Sequence, residues 1–193
     1  IDSMGKLDLN VDEIDKLTGP VIGRPKSATF RTSDVVGLDT LVKVANNLYA
    51  ALPDDEAREM FKLSDVVNQL EKNNWLGDKT GQGFFKKIKS DKGKEILTLN
   101  LETMEYGARQ QPKFASIDAA KPIEDLKSRL KMLAAANDKA GAFYRAFHAS
   151  LFSYISFRIP EISDEIYRVD DAMKAGFGWE IGAFETWDLL GVA

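Results

Sequence analysis

The sequence predicts a mainly α-helical protein with a small β-hairpin insert. Apolar residues recur every three or four positions along several segments, which is the spacing of one face of a helix. After Trp75 the pattern changes to short apolar stretches separated by glycines, which is typical of strands and turns. A set of Gly, Phe and Asp residues near the start of the chain recurs near its end, which indicates a duplicated structural unit.

Helices are predicted over residues 9–17, 30–36, 39–52, 64–73 and 123–158, and a further one after residue 163. Gly37 is expected to end the second helix and Asp39 to cap the third. Ser64 and Ser163 are expected to cap later helices. The helix over residues 123–158 is either continuous or broken near Asn137. Pro160 ends it.

Short strands are predicted over residues 84–88, 95–99 and 105–106, with a turn at 90–93. Residues 110–122 are expected to form a linker. The helix that carries Phe143, Phe147, Leu151 and Ile155 has aromatic side chains on more than one face, so we expect it to be buried on more than one side.

The duplicated unit is defined by matched spacings. Asp15 leads to Gly23, Phe30, Asp34 and Gly37, and Asp170 leads to Gly178, Phe184, Asp188 and Gly191. All spacings agree except that between Gly and Phe, which differs by one residue. We therefore predict that both copies have the same local fold.

Composition excludes several classes of protein. The chain has 193 residues, 44% hydrophobic and 29% charged, as expected of a globular protein. Its net charge of −4 gives no basic field for nucleic acid. It has no cysteine and one histidine, which argues against a zinc site, and we expect no metal. No apolar run reaches the roughly 20 residues of a membrane span. The absence of cysteine is consistent with the cytoplasm, which is the predicted location.

Three segments resemble the C-terminal domain of 3-hydroxyacyl-CoA dehydrogenases. They are residues 18–40 (TGPVIGRPKSATFRTSDVVGLDT), 75–85 (WLGDKTGQGFF) and 176–188 (GFGWEIGAFETWD). The resemblance implies tandem helical domains of the 6-phosphogluconate-dehydrogenase C-terminal type. Tandem copies are found in long multifunctional β-oxidation proteins that also carry an enoyl-CoA hydratase. The first copy is expected over residues 1–109, truncated before its motif, and the second over 123–193, truncated after it. The chain is thus expected to be a fragment.

For function, the resemblance implies part of an NAD-dependent oxidoreductase of lipid metabolism that converts 3-hydroxyacyl-CoA to 3-oxoacyl-CoA in fatty-acid β-oxidation. This part would form one wall of the acyl-CoA cleft and a dimer interface, which the duplication would imitate as a pseudo-dimer within one chain. The implied partners are a missing N-terminal nucleotide-binding domain and the acyl-CoA substrate, with self-association through any remaining apolar face. The alternative is a non-catalytic helical interaction or scaffold module.

The chain itself is expected to hold no catalytic residue and to bind no NAD. Gly81 and Gly83 form only a G-x-G that leads from a helix into a strand, the reverse of a dinucleotide-binding loop. The family's catalytic His–Glu pair belongs to its nucleotide-binding domain, and His148 has no matching motif around it. Asp34 and Asp188 could be paired carboxylates for acid–base chemistry, but local hydrogen bonding is the favoured interpretation.

One loop is a candidate for binding substrate. In the family this loop faces the nucleotide-binding domain across the active-site cleft. The candidate residues are Arg24, Pro25, Lys26, Ser27, Phe30 and Arg31. Because CoA is anionic, its phosphates could be bound by the three cations. Salt bridges between domains and simple exposure remain alternatives, and Phe30 is also expected to anchor the core.

Overall fold

The computed structural model describes residues 7–90 and 93–191, which divide into two compact units. The hairpin unit comprises Asn10–Asp15 and residues 29–111, apart from the two that are not described. The helical unit comprises residues 7–9, Lys16–Ala28 and 112–191. Helix α1 (Val11–Leu17) contributes residues to both units.

The hairpin unit contains helices and a sheet. The helices are α2 (Phe30–Val36), α3 (Leu38–Ala51) and α4 (Asp65–Lys72), with 3-10 turns at Arg58–Phe61 and Asp78–Thr80. The strands are β1 (Phe85–Ser90), β2 (Gly93–Leu99) and β3 (Tyr106–Ala108), antiparallel in the order β1-β2-β3. Phe85 pairs with Thr98, and Leu97 pairs with Ala108. This confirms the predicted strands, whereas the centre of the turn at 90–93 lies outside the described residues.

The helical unit is built from the second half of the chain. Its helices are α5 (Ala115–Ala120), α6 (Leu126–Ala135), α7 (Lys139–Phe157), α8 (Ile166–Phe177) and α9 (Ala183–Leu190), with a 3-10 turn at Pro20–Ile22. Together with the hairpin unit, these elements confirm the mainly α fold with a small β insert.

Helix α7 is buried on more than one side within the helical unit, as its aromatic residues predict. At its N-terminal half, Tyr144 is fully buried, and its hydroxyl donates to the carbonyl oxygen of Leu17 at 2.9 Å. Toward its C-terminal end, Phe152 and Ile155 pack against Ala183 in a core that also includes Leu151, Met173, Phe184, Trp187 and Leu190. Each buried side chain of this size contributes about 1.5–3 kcal/mol to folding.

The long helical pattern over residues 123–158 is broken near Asn137, one of the two predicted possibilities. The Asp138 side chain accepts from the backbone N–H of Gly141 at 3.0 Å and caps α7. It also accepts from the backbone N–H and the hydroxyl of Ser116. A Cβ at Gly141 would lie 2.0 Å from the carbonyl oxygen of Ala136, so the close turn requires glycine there.

Two predicted helix caps are wrong. Helix α3 follows Gly37 directly, because Gly37 at φ 101° turns the chain there and leaves Asp39 inside the first turn, paired with Lys79. Ser163 does not cap α8, which begins after Glu165; its hydroxyl instead forms a local turn with the backbone of Glu165. Residues 110–122, predicted as a linker, contain helix α5 with Ile117 buried. The two domain boundaries stay predictions.

Candidate functional site

The repeated motif begins with a buried aspartate that caps a helix distant in sequence. The Asp15 carboxylate accepts from the backbone N–H groups of Thr29, Phe30 and Arg31 at 3.1, 2.6 and 3.0 Å, at the start of α2. These are N–H groups that a helix cannot satisfy internally. Burial raises the pKa of Asp15 to about 6, and the three N–H groups oppose that shift.

The second copy repeats the cap. The Asp170 carboxylate accepts from the backbone N–H groups of Phe184 and Glu185 at 2.8 and 2.9 Å, at the start of α9. Asp170 is 4% exposed, so this cap, like that of Asp15, is buried. Helix α9 begins one residue before its Phe, whereas α2 begins at its Phe.

The glycines of the two copies also adopt the same conformations. Gly23 and Gly178 are left-handed, with φ, ψ of 70°, 35° and 65°, 31°. Gly37 and Gly191 end the two capped helices, with φ, ψ of 101°, 129° at Gly37 and 95°, 147° at Gly191. Glycine is the residue that reaches both regions without strain. The prediction of one local fold for both copies is thus confirmed in its caps and its turns.

The two left-handed glycine loops contact each other inside the helical unit. The backbone N–H of Glu180 donates to the carbonyl oxygen of Gly23 at 2.8 Å. Counting from the matched glycines, Arg24 corresponds to Trp179, and its guanidinium lies 3.7 Å from the centre of the Trp179 ring. The Arg24 guanidinium also lies 4.8 Å from the centre of the Phe147 ring. Equivalent residues of the two copies therefore meet, as they do across a twofold axis.

This environment determines the electrostatics of Arg24. Burial lowers the pKa of Arg24 to about 10, so the side chain stays protonated at neutral pH. Its cation is stabilised by the faces of two aromatic rings, a contact of about 0.5–2 kcal/mol. Arg24 is half-buried, so only part of this side chain faces solvent.

The neighbouring loop residues differ in exposure. Pro25 and Lys26 are exposed, and Lys26 has no hydrogen-bond or charged partner among the residues that the structure describes. Ser27 is half-buried. Of the cations near this loop in sequence, Lys26 is the one that is both exposed and uncommitted within the described chain.

The remaining candidates, Phe30 and Arg31, are engaged within the hairpin unit. The Phe30 ring is buried edge-on against Phe84, with centroids 4.5 Å apart, which confirms its role as a core anchor. Arg31 binds the Asp78 carboxylate through two hydrogen bonds of 2.8 and 2.5 Å. Hydrogen bonds from Arg31 and, to a lesser extent, from Lys87 lower the pKa of Asp78 to about 2.

His148 is a core histidine, as predicted. It is 5% exposed and lies between Tyr144 and Phe152, with ring centroids 6.2 and 5.6 Å away. Burial and the positive charge of Arg24 lower the pKa of His148 to about 4, so the ring is neutral at neutral pH. Beside His148 and Arg24 lies a cavity of about 10 Å³. That is room for about one water molecule and far too little for a substrate.

Local hydrogen bonding, the favoured interpretation of the repeated aspartates, is wrong for both residues: Asp34 binds backbone N–H groups 50 and 51 residues away, and Asp188 has no partner among the described residues. Asp34 is 1% exposed, and its carboxylate accepts from the backbone N–H groups of Phe84 and Phe85 at 2.9 and 2.8 Å. Asp188, its counterpart, is exposed and has no hydrogen-bond partner in the described part of the chain. In residues 7–90 and 93–191 no three His, Cys, Asp or Glu residues are grouped to hold a metal. No helix described by the structure is long and apolar enough to cross a bilayer.

Sequence reasoning missed the capping role of Asp15 and Asp170, although their matched spacing could have revealed it. It also missed Asp12, which is 4% exposed and accepts from Thr98, Arg109 and the backbone of Gln110. Its partners lie 86 to 98 residues away in sequence. No local pattern marks such a contact.

Residues 3–87 match the family model "3-hydroxyacyl-CoA dehydrogenase, C-terminal domain". A "Probable 3-hydroxyacyl-CoA dehydrogenase" of Bacillus subtilis is 43% identical over 192 residues, covering 100% of this chain and 24% of the relative. One of the same name from Deinococcus radiodurans is 44% identical over 91 residues, 47% of this chain and 25% of the relative.

A more distant relative is the "Putative fatty acid oxidation complex trifunctional enzyme" of Rickettsia prowazekii, 25% identical over 180 residues, 92% of this chain and 23% of the relative. The chain therefore spans about a quarter of the length of the relatives it matches. No solved structure matches the chain significantly. The resemblance inferred from the motifs is confirmed by the family model and by the relatives' names.

Proposed function

We propose that this chain, whose residues 3–87 carry the C-terminal domain of the 3-hydroxyacyl-CoA dehydrogenase family, is the helical part of an NAD-dependent enzyme of fatty-acid β-oxidation. The observation that supports this best is the similarity to the Bacillus subtilis relative, which is 43% identical over 192 residues and so extends through both copies of the motif. The cytoplasmic location remains a prediction.

The chemistry of hydride transfer supports separate roles for this chain and a nucleotide-binding domain. Hydride transfer requires a nicotinamide site and an acid–base group near it. Gly81 lies in a tight turn between α4 and β1, and His148 is buried among aromatic rings, so neither serves these roles. NAD and the catalytic pair would therefore be supplied by a partner domain, and this chain would shape the cleft.

Lys26 is the residue through which the loop would contact substrate. It is exposed and unpaired among the described residues, whereas Arg31 is held by Asp78 and Arg24 is packed against Trp179. The lysine ammonium is a compact charge on a flexible stem, with three N–H groups that can donate to the phosphates of CoA. The loop would thus hold the anionic end of acyl-CoA at one wall of the cleft.

The contact between the glycine loops supports a pseudo-dimer of the two copies. Arg24 lies against its own counterpart, Trp179, and the Gly23 carbonyl oxygen accepts from Glu180. In a symmetric pair, the counterpart of Glu180 would donate its backbone N–H to the carbonyl oxygen of Gly178. That counterpart is Pro25, which has no backbone N–H. Gly178 instead approaches Pro25, whose Cγ would lie 3.5 Å from a Cβ built there. The arrangement is an isologous contact that proline makes asymmetric.

The first test is an assay of the chain alone with acetoacetyl-CoA and NADH, following the loss of NADH absorbance. We expect no turnover above the blank without protein, because the residues that the structure describes offer neither a nicotinamide site nor an acid–base pair beside one. The same chain joined to a nucleotide-binding domain of the family is the positive control and should oxidise NADH. Turnover by the pure isolated chain would contradict these proposed separate roles.

A further inference from the structure

In the first copy of the motif, Asp34 holds a glycine-rich segment against the end of α2. Its carboxylate accepts two consecutive backbone N–H groups, those of Phe84 and Phe85. Just beyond Gly37, the backbone N–H of Leu38 donates to the carbonyl oxygen of Leu76 at 3.2 Å. Residues 76–85 thus cover the last turn of α2.

The segment must be rich in glycine to approach this closely. A Cβ at Gly77 would lie 2.2 Å from the carbonyl oxygen of Asp34, and one at Gly83 would lie 2.2 Å from the Asp34 Oδ1 atom. Both distances are shorter than real Cβ contacts, and at Gly77 the opposing atom is backbone, which cannot move aside. Asp34 therefore binds a segment of defined pattern. Gly77 comes first, Gly81 and Gly83 form a Gly-x-Gly, and Phe84 and Phe85 then donate their backbone N–H groups.

The second copy has the same acceptor without an occupant among the described residues. Asp188 follows Phe184 at the spacing by which Asp34 follows Phe30, and Gly191 ends α9 in the conformation of Gly37. Asp188 is exposed and unpaired in the described chain. A Cβ at Gly191 would meet no atom within 4 Å.

The position of Asp188 makes an occupant favourable. A carboxylate in the last turn of a helix lies at the negative end of the helix dipole, so it is disfavoured unless N–H groups neutralise it. In the first copy, Phe84 and Phe85 supply those groups to Asp34. Asp188 lies in the last turn of α9, where N–H donors would stabilise it in the same way, and it has no donor among the described residues.

We infer that the C-terminal turn of α9, with Asp188 at its centre, is a docking surface for a second glycine-rich polypeptide segment of the Gly-x-Gly-Phe-Phe type. The segment donates two consecutive backbone N–H groups to the Asp188 carboxylate. Its first aromatic ring lies beside Phe184, as Phe84 lies against Phe30 in the first copy. This inference rests on the internal repeat and does not require the enzyme activity proposed above.

The test uses a fluorescent peptide with the sequence of residues 75–88, titrated with the chain and followed by anisotropy. We expect saturable binding, and at least about tenfold weaker binding to Asp188→Asn, because a hydrogen bond to a charged group accounts for about that factor. Asp164→Asn is the matched control. It removes one exposed carboxylate with no partner among the described residues and should bind like the original chain.

A peptide with Gly83→Ala supplies the second arm. Its added Cβ would collide with the carboxylate, so binding should be lost, whereas a Gln82→Ala peptide should still bind. Undetectable binding of the original peptide at millimolar concentration would overturn the inference. So would equal binding by Asp188→Asn, or binding that survives Gly83→Ala, since both would indicate adhesion of aromatic side chains elsewhere. A dimer of the chain that Asp188→Asn dissociates would also overturn it, by assigning the surface to a second copy.

Discussion

Replacing Asp34 by alanine should destabilise the hairpin unit strongly, whereas the same change at Asp188 should not. The two residues occupy equivalent places in the repeat, so helix position and residue type are matched. They differ in environment: Asp34 is 1% exposed and binds two N–H groups, and Asp188 is exposed and unpaired in the described chain.

The magnitude follows from the two N–H groups left behind. Each buried N–H group without an acceptor costs about 1–3 kcal/mol, so the loss is about 2–6 kcal/mol before any compensation. Burial raises the pKa of Asp34, against the effect of the Phe84 and Phe85 N–H groups, so removing the carboxylate also relieves an unfavourable desolvation. The net loss should be about 2–4 kcal/mol for Asp34→Ala and within about 0.5 kcal/mol for Asp188→Ala.

Urea unfolding followed by circular dichroism and tryptophan fluorescence measures both variants. Trp75 lies in the hairpin unit, with its ring centroid 5.4 Å from that of Tyr106, and reports on the region that Asp34 holds. Equal losses for the two variants would refute the reasoning, because they would show that the stability comes from an aspartate at that helix position and not from its N–H partners. A loss below about 1 kcal/mol for Asp34→Ala would refute it as well.

Two further predictions concern the helical unit. The single histidine allows a direct NMR titration: the His148 ring should show a pKa of about 4, and a value above 6 would contradict its burial. Because this pKa lies below that of an unfolded histidine, the unfolded chain takes up the proton first, so His148 destabilises the fold as the pH falls from about 6.5 to about 4. In the chain joined to a nucleotide-binding domain, Lys26→Ala should raise KM for acetoacetyl-CoA up to about fivefold, since an exposed ion pair contributes about 0.2–1 kcal/mol. KM for NADH should stay unchanged. The control variant Lys43→Ala, at another exposed lysine, should leave KM for acetoacetyl-CoA unchanged. If Lys26→Ala also raises KM for acetoacetyl-pantetheine, which lacks the phosphates of CoA, the assigned role is contradicted.

The features that sequence predicted well are those with a local chemical signature. Gly37 ended its helix as predicted because a left-handed or extended positive-φ conformation is readily accessible only to glycine. The strands were found because they are short, apolar and bounded by turns. The sequence predicts a helix that is either continuous or broken near Asn137, because the break depends on the close approach of Gly141 to Ala136, which the residue types alone do not specify.

Features that depend on distant partners were not predictable from local pattern. Asp15 caps a helix that begins 15 residues later; nothing near Phe30 indicates an acceptor, and only the spacing shared by the two copies points to Asp15. The sequence indicates Arg24 only as a cation of a candidate substrate loop, because its partners Phe147 and Trp179 lie more than 120 residues away in sequence. The half-buried guanidinium of Arg24 packs against aromatic rings, whereas Lys26 is exposed. Lys26 is therefore the stronger candidate for substrate contact.

If the two copies form the proposed pseudo-dimer, the contact of Arg24 with Trp179 illustrates what duplication within one chain makes possible. At the axis of a true homodimer, each residue meets an identical copy of itself. Two arginines in that position would repel each other at short range, and two tryptophans would carry no cation. When both copies are encoded in one chain, the axial pair can consist of unlike residues, and here a guanidinium lies 3.7 Å from the centre of an indole ring. That contact is attractive because the ring face is electronegative. In the proposed pseudo-dimer, the tandem arrangement would therefore permit a contact between the copies that two identical subunits could not form at the same position.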